Sequence, residues 1–405
     1  MNIWIINHHA LTPDMSGGTR HYDFAKELIA RGNKVTIVSA SIHYATYKEM
    51  REYGLNDFIV ENIDGIEWIW IKTPPYRGNG IDRIKNMFSF MLGANRIIPK
   101  LNLAKPDIII GSSVHLFAVL AAYKLSQKYK VPFVMEVRDL WHQTLIDMGI
   151  SKWHPFIILL GWIERFLYKR ADKIITLLPK AHLYMEKLGI KKEKIVWISN
   201  GTSIKNFEYT EKFDSSKFNI LYTGSMGIAN DLSVLVDVAN ALKYNSCIHF
   251  TIIGNGTMKQ GLIDKAKNLN IENITFLDHM AKSEIYDYLH SADLLYVGLK
   301  NLPLYKYGMS MNKIYDYMSV AKPILFVSDI DENIVELAKC GFVVKNPDIE
   351  NIADKIKEIS QMSGLELEIL GKNGYDYMVK NFSIKVLCDK LENTLNEVLN
   401  DKKNI

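Results

Sequence analysis

A lysine and an aspartate spaced three residues apart, Lys313 and Asp316, carry the most specific chemistry in this sequence. They open a stretch with helical periodicity, so the spacing places both side chains on one helix face. The lysine ammonium suits a diphosphate, and the aspartate suits the hydroxyls of a ribose, as acidic residues do in dinucleotide sites. Asn312 belongs to the same predicted site. An ordinary surface ion pair is the alternative at this spacing.

Three glycine-containing segments follow predicted strands, and each could bind phosphate. Glycine lets backbone N–H groups approach an anion, and the start of a helix adds positive potential. A plain turn is the alternative for each segment alone, but loops at the carboxyl ends of parallel strands converge on one crevice. The residues in these segments that we predict to bind a phosphate-containing donor substrate are Gly17, Gly18, Arg20, Gly224, Ser225, Gly254 and Asn255.

Two carboxylates, a guanidinium and an imidazole lie within seven residues after another predicted strand. Such groups can hold sugar hydroxyls or move a proton. The predicted catalytic residues are Glu136, Arg138 and Asp139, together with Lys313. The predicted acceptor-side residues are His115, Trp141 and His142, although a lone histidine such as His115 is also common in structural roles. We expect no metal, because the sequence has no carboxylate cluster with matching ligands and no H-E-x-x-H motif.

The elements that must position these residues alternate short β-branched runs with amphipathic stretches. This alternation is typical of parallel sheets covered by helices on both faces, and it starts again in the second half of the chain. The predicted fold class is therefore α/β, with two Rossmann-like, doubly wound domains facing a central cleft. The predicted domains are residues 1–197, residues 198–380, and a C-terminal helix at residues 381–405 that crosses back to the first domain.

Composition excludes several other classes of protein. With 405 residues, 48% hydrophobic and 23% charged, the chain is globular and suits two domains. A net charge of +4 without a basic block argues against nucleic acid. Three separated cysteines predict neither a disulfide framework nor a zinc site. The N-terminal apolar run predicts a buried strand rather than a signal peptide. The missing G-x-G-x-x-G fingerprint disfavours an oxidoreductase.

The motifs together resemble glycosyltransferase family 4, the large retaining family with the GT-B fold. The resemblance is strongest to the branch that builds bacterial surface polysaccharides, including N-acetylfucosamine transferases of O-antigen and capsule pathways. It runs nearly end to end. The segments that carry it are Ile5–His9, Gly17–Tyr22, Glu136–Trp141, Ser199–Gly201, Tyr222–Ser225, Ile253–Gly256, Ser291–Asp293, Lys313–Met318 and Ala321–Pro323.

The resemblance implies roles for individual donor-binding residues. It implies that Gly17 and Gly18 meet the donor diphosphate and that Lys313 binds the same group. It also implies that Asp316 holds the ribose. The donor would be a nucleoside-diphosphate sugar, with UDP favoured over GDP and with no cofactor.

The resemblance also places the base and the reacting carbon, and it shows two departures. His279 and Met280, after a predicted strand, match the segment that lies against the nucleobase. Arg138 and Asp139 match the position of a polar residue near the reacting sugar carbon. Gly308 stands where the family signature has its first glutamate, and the segment 227–231 lacks the usual Arg and Lys. Diphosphate binding must then depend on Lys313 and backbone amides.

The acceptor is expected on the first domain. Basic and aromatic residues are mixed in segments 76–100 and 153–170, which suits a membrane surface, although core-facing helices with solvated basic faces are equally compatible. The acceptor is expected to be a glycan or, if the protein docks on a membrane, a polyprenyl-diphosphate-linked saccharide. We expect a cytoplasmic protein with peripheral membrane contact. Two alternatives remain open: a non-catalytic nucleotide-sugar-binding protein and a sugar-nucleotide epimerase.

Overall fold

The chain forms two compact units. The computed structural model describes residues 1–15, 17–78, 80–204 and 210–403. Unit 1 contains Met1–Asn200, Tyr307–Ser310 and Ile384–Ile405, and unit 2 contains Gly201–Lys306 and Met311–Ser383. The passage from unit 1 to unit 2 at Asn200 lies three residues beyond the predicted boundary at 197.

Unit 1 is built on an eight-stranded sheet with the order β3-β4-β2-β1-β5-β6-β7-β8. Seven strands are parallel, as the continuous apolar runs predict. The exception is β3, which pairs antiparallel with β4. The sequence pattern predicted only parallel strands and did not predict this one. The strands are β1 (Asn2–Ile6), β2 (Lys34–Ser39), β3 (Phe58–Ile63), β4 (Ile66–Ile71), β5 (Ile108–Ser112), β6 (Phe133–Val137), β7 (Lys173–Thr176) and β8 (Ile195–Trp197).

Helices cover this sheet and bury its apolar side chains. Trp4 on β1, Phe90 on α2 and Phe133 on β6 are among the largest fully buried side chains. The C-terminal helix α14 is part of unit 1, where Arg31 at the end of α1 pairs with Asp389 at 2.6 Å. The helices are α1 (Arg20–Ala30), α2 (Ile81–Ile97), α3 (Leu116–Tyr129), α4 (Trp141–Asp147), α5 (Pro155–Arg170), α6 (His182–Lys187) and α14 (Ile384–Lys403).

Unit 2 is built on a six-stranded, fully parallel sheet with the order β11-β10-β9-β12-β13-β14. The strands are β9 (Phe218–Thr223), β10 (Ile248–Ile253), β11 (Ile274–Leu277), β12 (Leu294–Gly298), β13 (Ile324–Val327) and β14 (Gly341–Val344). The helices are α7 (Leu232–Ala241), α8 (Lys259–Asn268), α9 (Lys282–Ser291), α10 (Asn312–Ser319), α11 (Ile334–Ala338), α12 (Ile349–Ser360) and α13 (Gly364–Phe382).

The strand orders show where each unit can bind a ligand. In unit 2 the chain moves outward from β9 in one direction through β10 and β11, then returns to its other side at β12. In unit 1 the corresponding change of direction lies between β1 and β5. Open α/β sheets bind ligands at the carboxyl ends of strands at such a switch point. The loops after these strands are therefore the places to look for a site.

Candidate functional site

Lys313 lies at the start of α10 in unit 2, and its hydrogen-bond partners in the described part of the chain are neutral. Its Nζ donates hydrogen bonds to Tyr222 Oη at 2.7 Å and to Asn230 Oδ1 at 3.1 Å. It also lies 4.0 Å from the centre of the Tyr222 ring. Burial lowers the pKa of Lys313 from 10.5 to about 7. A cation whose charge is this poorly compensated favours an anionic ligand.

The predicted glycine loops of unit 2 meet beside this lysine. A Cβ atom on Gly224 would lie 3.1 Å from Lys313 Nζ, so glycine allows the ammonium to approach the backbone. A Cβ atom on Gly254 would lie 1.9 Å from the carbonyl oxygen of Gly224, so only glycine fits there. Both residues have positive φ angles, +134° and +145°. The two loops therefore form one backbone surface at the carboxyl ends of β9 and β10, next to a helix N-terminus.

Asp316 lies one turn after Lys313 on α10, and its partners among the described residues include two hydroxyl groups. Its Oδ1 accepts hydrogen bonds from Thr202 Oγ1 at 2.9 Å and from Tyr286 Oη at 3.1 Å. A carboxylate that accepts from two protein hydroxyls can also accept from the paired hydroxyls of a ribose. The spacing of Lys313 and Asp316 is therefore consistent with one ligand carrying both phosphate and ribose.

The other predicted donor residues of unit 2 lie around the same strand ends. Ser225 and Asn255 are exposed in the loops after β9 and β10. After β11, His279 is exposed and Met280 is half-buried. Asn312, the first residue of α10, is half-buried.

In unit 1, Glu136 is enclosed by partners from its own domain. It accepts hydrogen bonds from Arg20 Nε at 2.9 Å and from Ser112 Oγ at 2.8 Å, and its other contact is His21 Nε2 at 2.8 Å. Burial would raise the pKa of Glu136, but Arg20 and His21 together hold it well below 4.5. Burial lowers the pKa of His21, so the imidazole is neutral and donates to the carboxylate.

These contacts argue against two predicted roles. Arg20 is 5% exposed, and it also donates to the carbonyl oxygens of Ser199 and Ile198. Glu136 is 5% exposed and both of its oxygens are occupied. A carboxylate with a low pKa and no open oxygen is a poor general base. The arrangement favours a structural role for Arg20 and Glu136, because each neutralises the other. Their donor-binding and catalytic roles stay predictions.

The remaining predicted residues of unit 1 are more open. Arg138 is half-buried after β6, and Asp139 beside it is exposed. Trp141 Nε1 donates to the carbonyl oxygen of Ser113 at 3.1 Å, which ties α4 to the end of β5. His142 Nδ1 lies 3.3 Å from Tyr184 Oη.

The glycine pair of unit 1 precedes α1. Gly17 is exposed with a φ of +126°, and Gly18 is half-buried. Ser16, which opens this predicted phosphate loop, lies outside the described residues.

His115 was predicted as a site residue from the sequence, but its partners His8 and His9, in the loop after β1, were not. His8 Nδ1 and His115 Nε2 are 2.6 Å apart. A pair of histidines one residue after a buried strand was the available signal. The residues around Lys313 and Asp316, namely Tyr222, Asn230, Thr202 and Tyr286, were also missed because they are far away in sequence.

The three histidines are a candidate metal group within the described part of the chain, since one ring nitrogen from each lies within 4.8 Å of the others. Their hydrogen bonds do not fit a metal. His115 Nδ1 accepts from the backbone N–H of Ala118 at 3.1 Å, so the proton of neutral His115 is on Nε2. A metal-binding histidine instead donates from the nitrogen that does not bind the metal.

Comparison with known proteins identifies the family. A glycosyl transferase 4-like domain matches residues 17–201, and a glycosyl transferases group 1 domain matches residues 204–377. The chain is a glycosyltransferase of the GT-B type. Neither domain match distinguishes the branch of the family, so the O-antigen N-acetylfucosamine branch stays a prediction. No curated protein sequence is significantly similar to this glycosyltransferase.

Solved structures share its fold at low sequence identity. Sucrose-phosphate synthase from Thermosynechococcus elongatus has a TM-score of 0.76 at 14% identity, with 99% of each chain covered. Anabaena HepE in complex with UDP-glucose has a TM-score of 0.68 at 14% identity, covering 98% of this chain and 100% of that one. WaaG, a glycosyltransferase involved in lipopolysaccharide biosynthesis, has a TM-score of 0.67 at 12% identity, covering 98% and 99%.

The buried Arg20–Glu136 pair predicts a specific loss of stability in acid. Because the pKa of Glu136 is depressed, its stabilising contribution is complete above about pH 4.5 and is lost as the pH falls through the folded-state pKa. We expect Glu136→Gln to lower the free energy of unfolding by about 3–5 kcal/mol at pH 7, because Arg20 loses its buried partner. The difference from the wild type should narrow below pH 4.5. Chemical denaturation across this pH range measures both effects.

The matched control is Glu27→Gln on α1, the helix that carries Arg20. Glu27 pairs with Arg31 at 2.8 Å, but the pair is more exposed, so its loss should cost less than about 1 kcal/mol. Two outcomes would contradict a buried Arg20–Glu136 ion pair: an equal loss of unfolding free energy in both variants, or a loss in Glu136→Gln that stays constant as the pH falls below 4.5.

Proposed function

We propose that this glycosyltransferase moves a sugar from a UDP-sugar to a saccharide acceptor, with retention of anomeric configuration and without a metal ion. The observation that carries the proposal is the poorly compensated ammonium of Lys313 beside the Gly224 backbone and one turn before Asp316. Cleavage of a sugar–diphosphate bond develops negative charge on the leaving phosphate. A cation and backbone amides already aimed at that phosphate stabilise the transition state.

The choice of UDP is supported by proteins of the same fold. Anabaena HepE was solved with UDP-glucose, and TarM from S. aureus was solved with UDP. The proposal assigns the ribose to Asp316 and the base to the segment at His279 and Met280. The transferred sugar is proposed to be an N-acetylated hexose or deoxyhexose, and the pathway to be surface polysaccharide synthesis, a role for which the lipopolysaccharide enzyme WaaG is a precedent.

The reacting sugar carbon is proposed to lie near Arg138 and Asp139. With Glu136 enclosed by Arg20 and His21, Asp139 is the exposed carboxylate that remains of the predicted pair. A carboxylate can stabilise the positive charge that develops on the sugar, and the Arg138 guanidinium can bind oxygen atoms of a substrate. Trp141 and His142, on the next helix, are proposed to contact the acceptor.

Lys313 should control both nucleotide affinity and its pH dependence. A bound diphosphate favours the charged lysine, so binding above pH 7 must take up a proton. We expect the affinity for a UDP-sugar to fall by up to about tenfold per unit between pH 7 and 9. Lys313→Met should bind weakly with no such dependence, and its turnover should drop about a hundred- to a thousandfold. Calorimetry and a transfer assay measure these effects.

The control for this experiment is Lys265→Met. Lys265, on α8, already has a carboxylate partner, since it pairs with Asp237 of α7 at 2.6 Å. This variant should bind the UDP-sugar and turn it over as the wild type does.

A thermal-shift panel of nucleoside diphosphates on the same proteins identifies the base, because a ligand that binds only the folded state raises the stability of the protein. Equal stabilisation by UDP of wild type and Lys313→Met would remove Lys313 from the site. Nucleotide binding without any transfer or hydrolysis would favour the non-catalytic alternative.

Transfer should continue when divalent ions are removed. Asp329 and Asp331, which follow β13, are two carboxylates that could be considered as metal ligands. However, Asp329 Oδ1 accepts a hydrogen bond from the backbone N–H of Asn346 at 2.6 Å, and Asp331 is exposed. Lys313 supplies the positive charge that a metal would otherwise bring to the diphosphate. We expect the same turnover with excess chelator as with magnesium. Activity that disappears with the chelator and returns with magnesium or manganese would show that the proposal is wrong on this point.

The acceptor is proposed to be a glycan or lipid-linked diphosphate saccharide at a membrane surface. Among the described residues, no helix is both long and apolar enough to span a bilayer. Unit 1 exposes large apolar side chains beside basic ones on two of its helices. On α2 these include Ile81 and Phe88, and around α5 they include Trp153 (74% exposed) and Trp162 (71%). Aromatic side chains next to basic ones suit the headgroup region of an anionic bilayer.

Binding to vesicles should depend on these tryptophans. We expect the wild type to co-sediment with anionic liposomes at low salt and less at high salt, because surface charges are screened. The double variant Trp153→Ser, Trp162→Ser should co-sediment several-fold less. Leu365→Ser is the control, since Leu365 is 67% exposed on unit 2. Absence of wild-type binding at every salt concentration would rule out membrane docking.

A further inference from the structure

A buried hydrogen-bond donor in unit 1 points at a ligand group that the proposed function does not yet include. Within the described residues, His8 Nε2 has no hydrogen-bond partner, although the His8 ring is fully buried. Both ring nitrogens of the neighbouring His9 likewise have no hydrogen-bond partner in the described ranges. Buried polar groups in native proteins are almost always hydrogen-bonded, so several unpaired ones in one place need an explanation.

A chain of hydrogen bonds determines which His8 nitrogen carries the proton. The backbone N–H of Ala118 donates to His115 Nδ1 at 3.1 Å, and this bond caps the N-terminus of α3. Burial lowers the pKa of His115 and of His8 well below 6.5, so both rings are neutral. His115 therefore donates from Nε2 to His8 Nδ1, at 2.6 Å. The proton of His8 is then on Nε2, where it forms a donor polarised by the helix behind it.

Packing prevents this donor from turning away. The His8 ring stacks on Phe90 with 4.3 Å between ring centres and an angle of 5°. The His9 ring stacks on the His8 ring with the same distance of 4.3 Å between ring centres and an angle of 14° between the ring planes. His115 holds one edge of the ring, so the opposite edge with Nε2 has a fixed direction. A donor held in place before the ligand arrives binds an acceptor atom with little loss of conformational entropy.

The charges around the histidines select an anion. Burial is the main cause of the lowered pKa of His8, His9 and His115, and the charge of Arg83, on α2, lowers each pKa further. At His9 the charge of Arg138 acts in the same direction. A site with two guanidinium groups nearby and neutral histidine donors repels a metal cation and attracts an oxyanion. Arg138 also connects this position to the predicted catalytic segment.

The topology places the donor where a ligand is expected. His8 follows β1 and His115 follows β5, and these two neighbouring strands form the switch point of the unit 1 sheet. Ligands of open α/β sheets bind in the crevice at the carboxyl ends of such strands. The histidines therefore lie where a second ligand position is expected, in a different unit from Lys313.

We propose that His8 Nε2–H, with His9 and the charge of Arg83, binds an anionic oxygen of the acceptor saccharide, on a phosphate or a carboxylate substituent. The inference rests on the proposed function, because it assigns an acidic acceptor to this glycosyltransferase. It predicts that unit 1 prefers charged acceptors, because guanidinium groups bind an anionic oxygen more strongly than a hydroxyl group.

The test follows the histidine side chains directly. Protein labelled with ¹⁵N at histidine is titrated with glucose 6-phosphate, glucuronate, glucose and UDP in separate samples. We expect one or both acidic sugars to shift the His8 Nε2–H resonance at concentrations where glucose does not. The acid that binds identifies the substituent as phosphate or carboxylate. The spectrum of the free protein should show His115 and His8 as the Nε2–H tautomers.

Two variants separate binding from folding. His8→Phe keeps a flat ring between Phe90 and His9 and removes the donor, so it should weaken binding of the acidic sugar at least tenfold. His115→Asn keeps an acceptor for the N-cap of α3 and removes the donor to His8. It should weaken binding by a smaller factor. His249→Gln, on β10 of unit 2, is the control and should bind as the wild type does.

The outcomes distinguish this inference from the proposed function. If UDP binds through Lys313 but neither acidic sugar shifts the histidines, the anion site is wrong and the glycosyl-transfer proposal stands. A His8 shift with UDP, but with neither acidic sugar, would assign the site to the donor and overturn the acceptor assignment. Equal shifts with glucose and the acidic sugars would overturn the selectivity for charge. Failure of UDP to bind would count against the proposed function itself.

Discussion

The parallel pairing of strands is the constraint on which both candidate sites depend. Parallel strands must end at the same edge of a sheet, so loops that are distant in sequence come together there. In unit 2 this edge collects glycine loops from β9 and β10 next to the start of α10. In unit 1 it collects the loops after β1, β5 and β6, which carry His8, His115 and Arg138. Each site is therefore assembled by the fold rather than by one motif.

Several features of this arrangement could be predicted from sequence because their signals are local. The spacing of Lys313 and Asp316 places them on one face of α10, as helical geometry requires. Gly224 and Gly254 follow apolar runs, and the structure shows that a larger residue at Gly254 would collide with the Gly224 carbonyl. Sequence separation does not matter for such features, since each depends on its own strand or helix.

The features that prediction missed depend on long-range contacts or on an overlooked turn. Glu136 was expected to face a substrate, but Arg20, which is 116 residues away in sequence, occupies it. Spacing along the chain contains no information about that contact. The antiparallel strand β3 was missed although Asp64-Gly65, both with positive φ, form the turn between β3 and β4. An Asp-Gly pair between two β-branched runs is a strong hairpin signal, so this strand could have been found.

The two units use buried charge in opposite ways. In unit 1, Arg20 and Glu136 neutralise each other, so their charges are satisfied within the protein and hold α1 against the ends of β5 and β6. In unit 2, burial lowers the pKa of Lys313 because its hydrogen-bond partners, Tyr222 and Asn230, are neutral. Burying a charge without a partner costs free energy, and a bound diphosphate would recover that cost. The unbalanced charge of Lys313 is therefore the one from which we expect ligand binding, whereas the balanced Arg20–Glu136 pair is expected to support the fold.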